Sequence, residues 1–434
     1  MNSISSAAKA KGRLALAKRA GQIISHYGLT PSKMAQALDR FGQILREFHC
    51  GATFPITAVA LERNTKVIEK HLAQDIEFAI HGYRHIDYSQ LPPEEQVVHL
   101  RRAYGAFTAA GIPFDGFRSP YLRFNEHLRE AACEVGLAYL SNQPILWDVL
   151  DGEYFSPAAQ TAYRRAIALY APWSANEQPA LPQLHNELVE IPVSLPDDEI
   201  LLDRLGDGAK GLVERAWSRT LTESHRREEL FTLQLHPERI VRCTPALRAL
   251  LAQARALNPP VWVARLQEIA AWWRARSAAT VTVTNMDGGK LLLSLKGPGG
   301  IAFLVRNVEA EMESPAHPWV HGYRRCATQR LMLETDIRPF IGVPADASPE
   351  LVNYLREQGY IVEASDNPQM YSVYLDQARA IPENRRSLLI EIEADSKPLV
   401  KLGRWPGNNC SALAITGDVD ALTLWDYGLR YLGS

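Results

Sequence analysis

Residues 412–420, close to the end of the chain, read ALAITGDVD. The first four letters form a short apolar run, which is typical of a buried strand. Asp418 and Asp420 follow this run, and residues two apart in an extended segment lie on one face. Because α/β barrels place their active sites at the C-terminal ends of their strands, the two carboxylates are candidate catalytic groups. Crowded carboxylates repel each other unless a cation or proton intervenes, so we expect one to bind a metal and the other to act as a base.

A structural role competes for the same pair of aspartates. We predict a helix over Leu422 to Leu432, and Asp420 stands where it could serve as the N-cap. A capping carboxylate accepts hydrogen bonds from the free N–H groups of the first turn. The stretch alone leaves both interpretations open.

The size and charge of the chain limit the number of domains and the kind of partner that we expect. With 434 residues it exceeds the size at which one hydrophobic core usually stops growing, so we expect either a large domain and a smaller one or two medium domains. A net charge of −2 gives no general attraction to nucleic acid or to anionic lipid. We therefore expect no nucleic-acid partner.

The cysteines and the terminal sequence point to a compartment. The five cysteines are odd in number and include no Cys-x-x-Cys pair, which argues against a disulfide framework and against a cysteine-built zinc site. The N-terminal residues lack an apolar run of signal-peptide length, and no segment approaches the roughly 18 apolar residues that a membrane span requires. We expect a cytoplasmic protein without a membrane span.

Strand and helix patterns alternate through the first 277 residues. The predicted helices are Ser32–Phe48, Asn64–Leu72, Glu94–Ala110, Glu126–Val135, Thr244–Leu257 and Val263–Arg276. The predicted strands are Thr53–Leu61, Ile76–Ile80, Phe114–Phe117, Leu137–Leu140, Val189–Val193 and Leu230–Leu235. Such alternation indicates a parallel sheet or barrel, so residues 1–277 are predicted to form the main part of an α/β barrel.

The pattern changes after Ser277. Residues 280–284 alternate with period two and are followed by the turn sequence Asp287-Gly288-Gly289, which predicts antiparallel hairpins. One helix is predicted, over Ser348 to Gln358. We therefore predict a small β-rich domain over residues 278–405 and a return to the barrel over residues 406–434. This domain is expected to bridge the two parts, and to shape a substrate groove or a dimer contact.

Two histidines form the next candidate site. His81 and His85 lie four residues apart with Gly82 between them, so both imidazoles can face one point, as metal ligation requires. The His-Glu-x-x-His pattern of metalloproteases is excluded, because Gly82 and Tyr83 follow His81 where the glutamate would stand. Two polar residues in a loop are an equally good interpretation of this spacing alone.

Two further motifs follow strand candidates. Pro120 in the sequence Arg118-Ser119-Pro120-Tyr121 fixes a turn that could present the backbone N–H of Tyr121 to a substrate oxygen. His236 ends an apolar strand, a place where a lone histidine is more often packed than catalytic. All four motifs fall where a strand passes into a loop, and so on one face of the predicted barrel.

In combination, these motifs resemble the motif set of the NodB-homology polysaccharide deacetylases, carbohydrate esterase family four. The resemblance covers residues 30–277 and the C-terminal segment, and it implies a distorted (β/α)7 barrel. In that family an aspartate pair precedes the other motifs, whereas here nothing before His81 matches it and the pair comes at residues 418–420. This order resembles a circular permutation, which is tolerated because barrel termini lie side by side.

The resemblance implies roles for individual residues. His81, His85 and Asp420 would hold a divalent metal. The reacting groups would be Asp418 as general base, Arg118 as the residue that orients it, Tyr121 as a backbone donor to the oxyanion, and His236 as general acid. Asp148, next to Trp147, falls near a further aspartate of the family that supports the catalytic arginine or histidine. Zinc is the expected metal, although such ligands also take cobalt, nickel or iron.

The expected activity is the metal-dependent removal of N-acetyl groups from an amino sugar, an oligosaccharide or a polysaccharide, so the expected partner is an N-acetylated carbohydrate. Residues 192–198 are expected to line its groove. Aromatic side chains that could stack on sugar rings are Tyr83, Tyr88, Tyr121 and Trp147.

Two other functions remain open. One is a deformylase or cyclic-amide hydrolase that acts on a non-polymeric substrate with the same kind of metal centre. The other is an inactive, sugar-binding barrel, which would result if Asp418 did not reach the metal.

Overall fold

The structure is a computed structural model that describes residues 21, 23, 24, 26–205, 211–311, 317–376, 380–394 and 397–431. The features noted for the first 20 residues lie outside this range. The described part contains one large sheet and three smaller ones.

The large sheet forms the centre of the barrel region. Its strands are parallel except for one edge strand, Gln183–His185. The twelve strands are Ala52–Ile56, Ile76–Ile80, Gly116–Phe117, Tyr139–Leu140, Pro144–Leu146, Trp173–Ser174, Gln183–His185, Leu188–Glu190, Val193–Leu195, Leu230–Leu235, Val261–Val263 and Ser411–Gly417.

Two pairs of short strands curl this sheet. Residues 139–140 pair with residues 188–190, and residues 144–146 pair with residues 193–195. Residues 193–195 also pair with residues 230–235. The segment 188–195 therefore connects the two sides of the strand order, which gives the sheet a barrel-like curvature. The predicted α/β class with a (β/α)-type barrel sheet is confirmed.

The strand Ser411–Gly417 is central to this sheet. It runs parallel to Leu230–Leu235 on one side and to Ala52–Ile56 on the other, and all seven of its residues are buried. Leu413 and Ile415 join one hydrophobic core, whereas the alternate residues Ala412 and Ala414 join another. Successive side chains of the strand thus alternate between the two faces of the sheet.

Helices cover the outside of the barrel region. They are Ser32–Glu47, Ala58–Leu72, Pro93–Ala109, His127–Glu134, Pro157–Tyr170, Leu212–Arg226, Ile240–Ala256, Leu266–Ser277 and Leu424–Gly428. In the first of them Met34, Leu38, Phe41 and Leu45 are buried, as their spacing predicts.

Some predicted bounds were wrong. The strand predicted over residues 53–61 ends at Ile56, because the helix Ala58–Leu72 begins two residues later. Both the strand and the start of this helix are buried, so one apolar run covers the two elements and periodicity does not separate them. The helices Pro157–Tyr170 and Leu212–Arg226 were not predicted.

Residues 278–405 form three small sheets. The predicted hairpin is present, with Thr280–Met286 antiparallel to Lys290–Lys296. Their sheet also contains Glu309–Glu311 and Arg330–Glu334; a second antiparallel sheet contains His317–Pro318, Arg324–Cys326, Phe303–Arg306 and Leu399–Leu402; a parallel sheet contains Arg338–Val343, Val362–Ala364 and Tyr371–Tyr374. The helices here are Pro349–Glu357 and Arg385–Ala394.

This region contacts the barrel at the N-terminal ends of the barrel strands. Arg386 forms an ion pair with Glu229 at 2.8 Å, and Glu229 directly precedes the strand Leu230–Leu235. The Glu357 carboxylate accepts hydrogen bonds from the backbone N–H of Leu184 at 2.6 Å and from the indole of Trp273 at 2.7 Å. The candidate site lies at the opposite, C-terminal ends. The described residues of 278–405 do not line the cavity of that site, and the expected role of this region in a groove or dimer contact stays a prediction.

We expect Ile415→Ala to lower the free energy of unfolding by about 3 kcal/mol, because Ile415 is fully buried in the strand that completes the barrel. Urea unfolding of the variant measures this loss. The matched control is Ile390→Ala, since Ile390 is 61% exposed and its truncation should cost less than about 0.5 kcal/mol. Equal losses in both variants would contradict a core role for the C-terminal strand.

Candidate functional site

Six predicted site residues line one cavity at the C-terminal ends of the barrel strands. The cavity has a volume of about 300 Å³. The six residues are His81, His85, Tyr121, His236, Asp418 and Asp420. Arg118, the seventh, is fully buried and lies beside Asp418. The strand order therefore brings together motifs that are far apart in the sequence.

Asp420 lies between the two histidines. Its Oδ1 atom is 3.4 Å from His81 Nε2 and 3.2 Å from His85 Nε2. One nitrogen from each histidine and one oxygen from Asp420 lie within 4.8 Å of one another. Two imidazoles and a carboxylate at such distances form a ligand set that suits zinc and related divalent metals.

The surroundings of the two histidines suit a metal beside Asp420. His81 Nδ1 is 2.8 Å from the Arg118 carbonyl, which can only accept, so this nitrogen donates and Nε2 is the one that faces Asp420. Burial lowers the pKa of His85 to about 4, although Asp420 opposes the shift, so its imidazole is neutral. Asp420 Oδ1 is buried and accepts no hydrogen bond from the described residues. Lone pairs that face a carboxylate oxygen repel it, and a cation between them relieves this repulsion.

Asp418 is held by two hydrogen bonds inside the barrel. Arg118 Nη1 donates to Oδ1 at 2.8 Å, and Gln234 Nε2 donates to Oδ2 at 2.8 Å. Arg118 is itself fixed by Thr416 at 2.7 Å and by Ser141 at 2.9 Å. Burial alone would raise the pKa of Asp418, but the positive charge of Arg118 lowers it below its usual value. The carboxylate is therefore ionised and able to accept a proton.

Tyr121 forms a wall of the cavity. Its backbone has a φ of +61°, in the left-handed region that non-glycine residues rarely adopt. Its ring packs edge-on against the His85 imidazole, with the ring centres 4.3 Å apart. The turn that Pro120 begins thus places Tyr121 beside a candidate metal ligand.

His236 is paired with a buried carboxylate. Its Nδ1 lies 2.6 Å from Asp198 Oδ1, and its backbone N–H donates to Asp198 Oδ2 at 2.9 Å. Burial alone would lower the pKa of His236, but the Asp198 charge raises it well above its usual value. The imidazole is therefore protonated near neutral pH, and the proton on Nε2 is available to the cavity.

Residues 30–140 match the family model described as polysaccharide deacetylase. The match covers the first part of the barrel region and shows the likeness for that part alone. None of the curated proteins compared with it matches. No helix among the described residues is long and apolar enough to cross a membrane.

Several solved structures also resemble this chain. One from Mycobacterium smegmatis that carries the name polysaccharide deacetylase is 24% identical over 64% of this chain and 89% of its own, with a TM-score of 0.46. One from Pseudomonas aeruginosa PAO1 with the same name is 19% identical over 55% and 72% of the two chains, with a TM-score of 0.42. Puue allantoinase has the same identity and the same coverage, with a TM-score of 0.43.

One expected supporting residue of the candidate site was placed wrongly. Asp148 is exposed and does not line the cavity, whereas Asp198 holds His236. The resemblance favoured Asp148 because of its position along the chain, but its neighbour Trp147 is buried and donates its indole N–H to Ser194 at 3.2 Å. The sequence alone left open whether Asp148 or Asp198 belongs to the site.

The expected groove residues also differ from the observed ones. Residues 192–198 do not line the cavity, and the π-helical turn Ile200–Arg204 with Glu199 does so instead. One reason is that Asp197 accepts a hydrogen bond from the Ile200 backbone at 2.8 Å and so caps this turn. The segment before the turn is then buried under it.

Of the four aromatic residues expected to stack on a sugar, Tyr121 alone lines the cavity. Tyr88 and Trp147 are buried in the core, and the Tyr83 ring lies under the Arg102 guanidinium at 4.0 Å. Three other tyrosines line the cavity, namely Tyr27, Tyr170 and Tyr427. No spacing in the sequence distinguishes these three from core aromatic residues.

The capping alternative for Asp420 was wrong. The helix spans Leu424–Gly428, and Thr423 is its N-cap, with its hydroxyl accepting from the Asp426 backbone at 3.1 Å. The Asp426 carboxylate completes the cap by accepting from the Thr423 backbone at 2.9 Å. Asp420 is thereby left to face the histidines.

Gln234 was missed in the sequence. It stands two residues before His236 and therefore shares its face of the strand Leu230–Leu235. A lone amide in an otherwise apolar strand, in register with a candidate histidine, is the signal that could have identified it.

We expect the imidazole of His236 to titrate well above pH 6.5, and Asp198→Asn to lower its pKa by removing the charge that raises it. The ion pair stabilises the fold fully below the unfolded-state pKa of about 6.5, and this contribution is lost as pH rises through the folded-state pKa. NMR titration of histidine-labelled protein measures both pKa values. An unchanged His236 pKa in the variant would contradict the assignment.

Proposed function

We propose that the chain is a metal-dependent N-deacetylase that removes acetyl groups from an N-acetylated amino sugar or short saccharide. The observation that carries this proposal is the convergence of His81, His85 and Asp420 on one point beside the ionised carboxylate of Asp418. The match of residues 30–140 to the polysaccharide deacetylase model supports the reaction class, and the cavity volume of about 300 Å³ supports a substrate whose reacting unit is small.

His81, His85 and Asp420 would hold the metal, and zinc is the proposed ion. The neutral imidazole of His85 fits such an ion, and so does the Oδ1 atom of Asp420, which accepts no hydrogen bond from the described residues. When bound, a divalent metal supplies Lewis-acid polarisation of an amide carbonyl and makes water more acidic. All other steps are assigned to residues of the chain.

Asp418 acts as the general base in this proposal. Its Oδ2 atom accepts one hydrogen bond, from Gln234, and keeps a second lone pair for the proton of the attacking water. Arg118 holds the other oxygen, so the carboxylate is oriented before substrate arrives. The hydroxide so formed adds to the acetyl carbon and gives a tetrahedral oxyanion.

Tyr121 and His236 complete the reaction. The backbone N–H of Tyr121 is the proposed donor to the oxyanion. His236 gives its Nε2 proton to the amide nitrogen as the C–N bond breaks, and the products are acetate and a free amine. Asp198 keeps the imidazole protonated and oriented for this step.

The position of the C-terminal strand supports circular permutation. In the sheet, Ser411–Gly417 lies between Leu230–Leu235 and Ala52–Ile56. It is thus the neighbour of the first barrel strand in the chain, although it comes last in the sequence. In this proposal residues 1–277 and 406–434 form one deacetylase barrel, and residues 278–405 are an inserted accessory domain that joins its two parts.

Asp418→Asn is expected to lower the rate of acetate release at least about 100-fold, because the amide cannot accept the proton. Metal content measured by mass spectrometry should stay near that of the unmodified protein, since Asp418 is not a proposed ligand. The matched control is Asp148→Asn, at an exposed aspartate, which should release acetate at the normal rate. Retained activity in Asp418→Asn would refute its role as base.

His85→Gln is expected to weaken metal binding more than about 100-fold. Loss of a residue that only hydrogen-bonds to a metal ligand costs up to about 100-fold, and loss of the ligand itself should cost more. Competition with a chromogenic chelator measures this change. His127→Gln is the control, because 41% of the His127 side chain is exposed on the surface. Equal metal affinity in both variants would count against the proposed ligand set.

The substrate class is tested on the unmodified, metal-loaded protein. Acetate release from N-acetylglucosamine and its short oligomers would support the deacetylase proposal. Hydrolysis of allantoin or of a formamide without acetate release would favour the cyclic-amide or deformylase alternative. Sugar binding without any hydrolysis would favour an inactive sugar-binding barrel.

A further inference from the structure

Arg430 is a buried cation in the wall of the cavity. It lies on the 3-10 turn Leu429–Tyr431, and only 7% of its side chain is exposed. The guanidinium stacks on the Tyr427 ring at 3.7 Å, and its Nε atom donates to the Tyr427 carbonyl at 3.1 Å. These contacts fix the orientation of the guanidinium plane.

The Nη2 atom of Arg430 lacks a hydrogen-bond acceptor among the described residues. Its nearest carboxylate oxygen is Asp420 Oδ2, at 3.6 Å, which is too far for a hydrogen bond. A buried N–H group of a charged side chain is unfavourable without an acceptor, so such groups are almost always paired in folded proteins. The site therefore provides a donor that none of the described residues uses.

The other arginines that line the cavity are already paired. Arg204 lies 2.5 Å from Glu199, and Arg239 donates to Asp203 at 2.8 Å and to Glu238 at 2.7 Å. The charge of each is balanced by a carboxylate at hydrogen-bonding distance. Arg430 differs from them in having a long ion pair and a free donor.

We propose that Arg430 binds an anionic group of the substrate, a carboxylate or a phosphate, inside the cavity. This inference rests on the proposed deacetylase function and narrows its substrate to an acidic N-acetylated sugar. A planar guanidinium with N–H groups in fixed directions matches the oxygens of either anion. The cavity of about 300 Å³ is at the small end of ligand sites, so the anionic group belongs to the reacting sugar unit or to its direct neighbour.

The test compares neutral and acidic sugars that share the same N-acetyl group. The panel is N-acetylglucosamine, its C6 carboxylate 2-acetamido-2-deoxyglucuronate, and the 1- and 6-phosphates of N-acetylglucosamine. We expect the unmodified protein to show a kcat/KM about tenfold or more higher for one acidic sugar than for the neutral one. Arg430→Gln should remove most of this preference, and Arg430→Lys should keep part of it because the charge remains.

The matched control is Arg63→Gln. Arg63 pairs with Asp426 at 2.6 Å and so anchors the same C-terminal segment, but it lies outside the cavity. A variant that only loosens this segment should retain the preference for the acidic sugar. All ratios are measured at saturating metal, so that a change in metal affinity does not affect them.

Calorimetric binding of the same sugars separates this inference from the proposed function. If an acidic sugar binds through Arg430 but no acetate is released, the anion site stands and the deacetylase proposal fails. If acetate is released with equal kcat/KM from neutral and acidic sugars, or if the preference persists in Arg430→Gln, only the anion site is overturned. The anion site would also be overturned if Arg430→Gln changed nothing but inhibition by acetate, or if no acidic sugar bound.

Discussion

The parallel pairing of the strand Ser411–Gly417 between two strands of the barrel is the constraint on which the site depends. It brings Asp418 to Arg118 across a sequence separation of 300 residues. The entropy cost of closing so long a loop is modest, because each doubling of loop length adds only about 0.6 kcal/mol. Burial of all seven strand residues supplies the opposing free energy, so the carboxylates of Asp418 and Asp420 are placed by the core itself.

The ion pair of Arg118 and Asp418 shows how the barrel interior accommodates charge. Both groups are almost fully buried, and a buried ion pair is stable only when the remaining donors and acceptors are also satisfied. Thr416, Ser141 and Gln234 satisfy them from three separate strands or strand ends. The same bonds that keep the pair folded also fix the carboxylate in its ionised form, so the fold and the proposed base share one set of contacts.

The sequence predicted those elements whose pattern is local. The strands Ile76–Ile80 and Leu230–Leu235 have the predicted bounds, because each is a short apolar run with polar residues at both ends. The strand after Gly51 was predicted too long, since a buried helix start continues the apolar run. Asp198 and Arg430 could not be assigned from sequence, because each acts through a partner that only the folded chain brings near.

Both ends of the described barrel meet at the cavity wall. The Tyr27 and Tyr427 rings lie 5.4 Å apart, and the Leu424 backbone donates to the Gly28 carbonyl at 2.9 Å. The region 278–405 lies at the opposite end of the barrel strands, so it cannot determine the shape of this wall. The shape of the cavity wall is therefore determined by segments that flank the C-terminal strand and the first helix. These segments lie next to the proposed metal ligands. Substitutions in them can therefore alter the substrate range without disturbing the buried carboxylates.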